Sequence, residues 1–148
     1  MTVSSEQQLL NLLYRYAEYI DSGDFVGASE LFRHARIRSA HGELGPDEVL
    51  ALWREMIIIY PDGTPRTKHM ITNPIVDVDE AAGTATIRSY YTVVQQVDDA
   101  PLRTITAGRY HDQFERVEGA WRFVWRDYSL HDLPGELSGH LHGWKNGG

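Results

Sequence analysis

The sequence predicts an α+β fold, with helices laid on one face of a curved antiparallel sheet. Three observations predict it. The stretch LRTITAGRYHDQFERVEGAWRFVWRDYSL, residues 102–130, alternates with period two around one turn and is rich in aromatic and β-branched residues. The first 60 residues carry apolar groups at helical spacing instead. The order is therefore helices first and long strands after, which segregates the helices to one side of the sheet. A long twisted sheet bends around a helix packed on it, and the expected result is a cone with a pocket between the first helix and the concave face.

Helix one is expected from Ser5 to Ser22. Ser4 and Ser5 each have a Gln three residues on, and Leu9, Leu13, Tyr16 and Ile20 fall on one face. Gly23 is a stop and Asp24 a cap for a short second helix from Phe25 to Arg33. Ala35 to His41 reads as a short strand and Gly42 to Gly45 as a turn. Pro46 opens helix three, with Asp47 and Glu48 in its first turn, and the helix is expected to reach Tyr60. Lys68 to Val78 is a strand disturbed at Asn73-Pro74. Thr84 to Val97 follows, and then the closing hairpin turning at Val117 to Ala120. Within that hairpin, alternation places Tyr110, Asp112 and Phe114 on one face. It also places Trp121, Phe123 and Trp125 together, with Arg122, Val124 and Arg126 opposite. Residues 1–131 form one domain in this reading, and 132–148 a glycine-rich polar tail with one helical turn near Pro134 to Leu137.

Composition narrows the function classes. A length of 148 residues, 42% hydrophobic and 24% charged, is that of one soluble globular domain. The formal charge of -7 argues against nucleic acid and anionic membrane as partners. With no cysteine there is no disulfide, thiolate nucleophile or cysteine-ligated zinc. No signal pattern precedes the first helix, so a cytoplasmic location is the expectation. No phosphate loop, dinucleotide fingerprint or serine nucleophile elbow is present. His131, His140 and His142 lie in glycine-rich sequence without a fixed ligand geometry, so neither a metal nor a cofactor is expected.

Two residues stand out chemically. Asp21 lies in the last turn of helix one, where the helix dipole disfavours a negative charge, although a polar helix-to-helix turn also accounts for it. His69 opens the first long strand directly after a loop. An imidazole changes charge near neutrality, and a carboxylate behind it fixes its tautomer and stabilises the imidazolium. Tyr16, five residues before Asp21, can add a hydrogen-bond donor or be a core aromatic.

The element order, the segment AGRYHDQFERVEGAWRFVWR and the YxxxxDxxD pattern from Tyr16 to Asp24 resemble the SnoaL-like branch of the NTF2-like superfamily, over about residues 5–131. The resemblance implies that Asp21 and His69, the latter within TKHMITN, are the proton-abstracting dyad of scytalone dehydratase, bile acid 7α-dehydratase and the lindane dehydrochlorinase. Tyr16 matches the tyrosine upstream of the Asp in the bile acid enzyme. Ile20 and Val93 stand where the scytalone enzyme has a tyrosine and a second histidine. The implied function is a cofactor-free lyase or isomerase acting on a small hydrophobic, cyclic substrate, with Leu13, Trp53, Met56, Tyr91 and Phe123 lining its pocket. The alternatives are a non-catalytic binding or assembly module similar to the β subunit of ring-hydroxylating dioxygenases, and a polyketide-cyclase-like enzyme. Relatives associate through the outer sheet face, which implies a homodimer or homotrimer.

Overall fold

A computed structural model describes residues 2–145. Helix α1 spans Ser5–Ser22 and α2 Phe25–Glu30; β1 (Arg36–Ser39) and β2 (Gly42–Leu44) form a small hairpin before α3 (Pro46–Met56). Then come β3 (Thr67–Asp79), β4 (Thr84–Gln95), β5 (Arg103–Val117), β6 (Ala120–Asp127) and the two-residue β7 (Leu133–Pro134). The sheet order is β2-β1-β6-β5-β4-β3, with β7 on β5.

Local chemistry explains the helix limits. The Ser4 hydroxyl accepts from the Gln7 amide at 3.1 Å, and Gly23 ends α1 at φ 81° with its amide on Ile20 O. In α3 the Glu48 carboxylate accepts from the Gly45 amide at 3.0 Å, and Pro46 follows in the first turn. This helix stops at Met56, four residues earlier than expected. The run Ile57-Ile58-Ile59 is β-branched and so a poor helix former. Its backbone pairs outward instead, Ile57 with Leu141 and the Ile58 amide with His140 O. Likewise α2 ends at Glu30, and the chain to Arg33 continues on tighter i→i+3 bonds.

Three irregularities bend the sheet. The β3–β4 register slips between Thr72 and Ile75, where Asn73 has φ 52° before Pro74. A second slip falls at Val93/Val94 and a third at Gln113/Phe114. The closing turn is tight: Val117 pairs with Ala120, and Glu118 and Gly119 both have positive φ, 52° and 82°. The sheet is mixed rather than wholly antiparallel, because β1 runs parallel to β6. A parallel neighbour needs a long crossover, and the chain between β1 and β6 supplies one.

The third irregularity changes what faces inward. Gln113 pairs with Trp125 but Phe114 with Phe123, so Val124 is an extra residue on β6. One extra residue inverts the alternation beyond it. Trp125 is therefore turned off the core face, where alternation had placed it beside Trp121 and Phe123, and Arg126 takes the inward position opposite Asp112.

The expected tail is packed rather than loose. Leu137 belongs to the core, Leu141 and Trp144 pack against it, and β7 pairs with Thr106 and Ala107. No helical turn forms at 134–137; burial of these apolar groups holds the segment extended across β5. Residues 146–148 of that expected tail lie outside the described residues.

Candidate functional site

The end of α1 meets the start of β3 through one carboxylate. Asp21 lies in the last helical turn, and burial with an unfavourable dipole there demands strong donors. β3 supplies three. The Thr67 hydroxyl donates to Oδ1 at 2.8 Å, and the His69 amide donates to Oδ2 at 2.7 Å. His69 Nδ1 lies 2.6 Å from Oδ1. The two side chains are only 7% and 8% exposed. Burial acts to raise the Asp21 pKa, but the His69 and Thr67 hydrogen bonds and the His69 charge outweigh it, and the net shift is downward. An ionised carboxylate only accepts, so Nδ1 carries the proton and the lone pair of neutral His69 sits on Nε2.

This pair adjoins a groove of about 540 Å³ between α1 and the edge strand β3. Tyr14, Ala17 and Ile71 give it apolar walls, and Glu18, Ser22, Thr64 and Lys68 give it polar ones. The loop that carries Thr64 is seated directly on the helix end, where a Cβ on Gly23 would stand 2.2 Å from Gly63 O.

The cone interior behind His69 is filled. Arg126 is 1% exposed and Asp112 2%, and the guanidinium forks onto the carboxylate at 2.7 and 3.1 Å. Its Cζ lies 3.9 Å from the Tyr110 ring centre and 4.4 Å from that of Tyr16. Leu13, Tyr16, Trp53, Tyr91 and Phe123 are all buried in the same core, and Met56 is half-buried beyond it. None of these six lines the groove at His69. The Tyr16 ring stands edge-on to His69, with centres 6.3 Å apart. Burial first, then the Tyr110 and Tyr128 hydroxyls, push the Tyr16 pKa well up, so its phenol remains a neutral donor. Neither the Tyr16 hydroxyl nor Arg126 Nη1 has a hydrogen bond of good geometry among the described residues.

The structure thus brings Asp21 and His69 into contact and sets Tyr16 behind them. Alternation set Arg126 on the face opposite Trp121 and Phe123; the Val124 bulge that turns it inward to Asp112 leaves no period-two signal. Sequence reasoning weighed His140 only as a metal ligand in the tail and expected no fixed place for it. That residue is 8% exposed, and burial, then the charge of His69, push its pKa down to about 4 against the opposing effect of Asp21. Among the described residues no group of three or more His, Cys, Asp or Glu side chains is arranged to hold a metal ion, and no helix is long and apolar enough to cross a membrane.

Comparison with known proteins places these features in context. The sequence model of the SnoaL-like domain matches residues 1–127. No curated protein matches the chain. Three solved structures from Novosphingobium aromaticivorans superpose well. One is an NTF2-like protein with a cystatin-like fold, 24% identical, TM-score 0.67, covering 86% of this chain and 82% of that one. Another is described as a candidate scytalone dehydratase, 16% identical, TM-score 0.62, covering 89% and 92%. The third is the β subunit of a candidate aromatic-ring-hydroxylating dioxygenase, 17% identical, TM-score 0.64, covering 87% and 90%. At these identities the likeness establishes the fold, an NTF2-like cone with a cystatin-like arrangement of helices on a curved, open sheet.

Proposed function

From the fact that this chain belongs to the SnoaL-like domain family, together with the geometry at His69, we propose that it is a cofactor-free lyase or isomerase for a small hydrophobic, cyclic carbonyl compound. The observation that carries the reading is the Asp21–His69 contact. A carboxylate with three donors on it holds one imidazole nitrogen protonated and leaves the other basic. A buried histidine of that kind takes a proton from carbon next to a carbonyl, and Asp21 stabilises the imidazolium that forms. The apolar wall of Tyr14, Ala17 and Ile71 suits a ring, and Lys68 at the same groove suits its oxygen. The Tyr16 ring backs His69 edge-on from the filled interior and holds the imidazole toward the groove.

The test uses 3-hydroxycyclohexanone, which loses water, and 3-cyclohexen-1-one, which shifts its double bond. Both give 2-cyclohexenone, followed by its ultraviolet absorption. The wild-type protein is expected to accelerate at least one conversion, and His69→Ala to abolish the acceleration. A wild-type protein that leaves both probes at the buffer rate, and does not bind the product, overturns the reading.

A second reading is favoured by the filled interior. The Asp112–Arg126 pair and the rings around it occupy the volume in which a cone enzyme would hold its substrate. On this reading the chain is a binding or assembly module. Its apolar outer face, with Met70, Ile75 and Tyr90 exposed, then serves a homodimer or homotrimer. The two readings separate on the probe reactions, since only the first requires turnover that depends on His69.

A further inference from the structure

The chain enters β3 through a kink. Arg66, the residue before the strand, has φ 61°, a conformation that non-glycine residues adopt at a cost. Thr67 and His69 follow directly and donate to Asp21. Such a backbone persists only where its surroundings hold it. Local bonds do part of this. The Arg66 amide donates to the Thr64 hydroxyl at 3.1 Å, and the Thr64 amide to Asp62 Oδ1 at 3.0 Å. The end of β4 does the rest. The Gln96 amide donates to Arg66 O at 3.2 Å, Arg66 Nε to Gln96 O at 3.1 Å, and Gln95 Nε2 to Pro65 O at 2.9 Å.

Gln95 is the buried member of this set, 1% exposed, and the register partner of Thr67. Both side chains are buried on the core face, a directly opposed cross-strand pair. The second hydrogen bond from Gln95 Nε2 goes to Gly139 O at 3.0 Å, which also accepts from the Tyr60 hydroxyl. The segment that carries Gly139 is pinned in turn. The His142 amide donates to Met56 O at 2.8 Å, and His140 O accepts from the Ile58 amide at 2.9 Å. One amide group therefore ties the kink to the packed C-terminal segment. Its Oε1 has no partner among the described residues. A buried amide that leaves its oxygen unmatched is held in place for its donors.

We propose that Gln95 is a positioning residue of the site: its amide locks the Pro65–Arg66 kink to the C-terminal segment and so holds Thr67 and His69 on Asp21. The effect on rate rests on the lyase or isomerase reading above; the effect on geometry does not. Gln95 does not line the groove, and it acts through β3. Without its donors the buried Pro65 carbonyl is left bare, and the cost at Arg66 is relieved only if the kink opens. Opening it draws two donors away from Asp21 and shifts the His69 ring. A misplacement of about 1 Å costs a reaction on the order of 10²-fold. Burial raises the Asp21 pKa and the His69 and Thr67 hydrogen bonds lower it, so loosening those bonds moves it up.

The experiment compares Gln95→Met, which keeps the length and loses both donors, with wild type and with Tyr60→Phe, which loosens Gly139 alone. Circular dichroism follows folding, the two cyclohexanone probes follow the rate, and the Asp21 carboxyl carbon is titrated by NMR. Gln95→Met is expected to lower kcat roughly 10- to 10²-fold with little change in KM, and to raise the Asp21 pKa. Tyr60→Phe is expected to lower the urea midpoint and to keep both the rate, within about threefold, and the Asp21 titration. Arg66→Gly added to Gln95→Met removes the cost of the positive φ and is expected to recover part of the rate. A folded Gln95→Met whose Asp21 titrates as in wild type overturns the inference and leaves the role of His69 standing. Equal rate losses in Gln95→Met and Tyr60→Phe also overturn it, because they reflect lost stability rather than position. If Gln95→Met does not fold, hydrogen exchange in wild type decides. The Gln95 side-chain protons and the His69 backbone amide are expected to exchange through one opening with matching protection. Gln95 protons that exchange freely while the His69 amide stays protected overturn the inference. A wild-type protein inert on both probes overturns the lyase or isomerase reading alone, since the Asp21 titration and the exchange pattern decide the positioning independently.

Discussion

The interior ion pair gives the sharpest stability experiment. Asp112 and Arg126 have side chains 0% and 1% exposed and share two hydrogen bonds, with the guanidinium packed against the Tyr16 and Tyr110 rings. Removing one partner strands the other as an uncompensated buried charge. Asp112→Ala is therefore expected to destabilise the fold by about 3–5 kcal/mol. For a chain of 148 residues that corresponds to a fall in Tm of roughly 6–20 °C, at about 2–4 °C per kcal/mol. Replacing both by apolar residues of similar volume, Asp112→Leu with Arg126→Met, removes both charges and the desolvation they suffer. The double variant is expected to lie within about 1–2 kcal/mol of wild type, or above it. Urea unfolding at pH 7, followed by tryptophan fluorescence and circular dichroism, measures all three proteins, provided the slope with urea stays constant. A single-variant loss below about 1 kcal/mol would refute the reasoning, because it would mean that water reaches the guanidinium or that the carboxylate is not its counter-charge. A double variant as unstable as the single one would refute it differently, by showing that the pair packs better than any apolar replacement.

Five further outcomes are expected. Asp21→Asn keeps an acceptor near His69 but loses the charge behind it, and probe turnover should fall by ~10²-fold or more, against complete loss in His69→Ala and a smaller loss in Tyr16→Phe. The depressed Asp21 pKa stabilises the fold above the unfolded carboxylate value near 3.9, and that contribution disappears as pH falls through the lower folded value; urea midpoints between pH 5 and pH 2 should fall less steeply in Asp21→Asn than in wild type. For His140 the sign is the same and the window higher: the unfolded chain takes up a proton near pH 6.5 and the folded one near 4, so wild type should lose up to ~3 kcal/mol between pH 7 and pH 4, a component absent from His140→Phe in a pH series of urea curves. Gly23→Ala combines φ 81° with a Cβ 2.2 Å from Gly63 O, and should cost at least about 1–2 kcal/mol in chemical unfolding while disturbing the groove beside Asp21. Light scattering at micromolar concentration is expected to show a dimer or trimer that Tyr90→Lys, on the outer face, reduces to monomer.

Sequence alone determined the parts governed by local rules. The Ser4 cap, the Gly23 stop and the apolar stripe from Leu9 to Ile20 set α1, because caps and periodicity act within one or two turns. The hairpin turn at Glu118-Gly119 followed in the same way from the positive φ its geometry requires. The Asp21–His69 pairing was legible because both residues are anomalous where they stand, an acid at a helix C-terminus and a histidine opening a strand. Tertiary structure decided the rest. The bulge at Val124 comes from fitting a twisted β6 against β5 and leaves no mark in the alternation, yet it exchanges Trp125 for Arg126 on the core face. That exchange fills the interior in which Leu13, Trp53, Tyr91 and Phe123 had been expected to line a pocket. The helical stripe of α3 runs on past Met56, but long-range pairing with Leu141 overrides it, just as it converts an expected polar tail into a packed segment. His140 is buried by that route, its carbonyl under the Ile58 amide, and no local pattern records a position set by the final folding of this segment over the sheet.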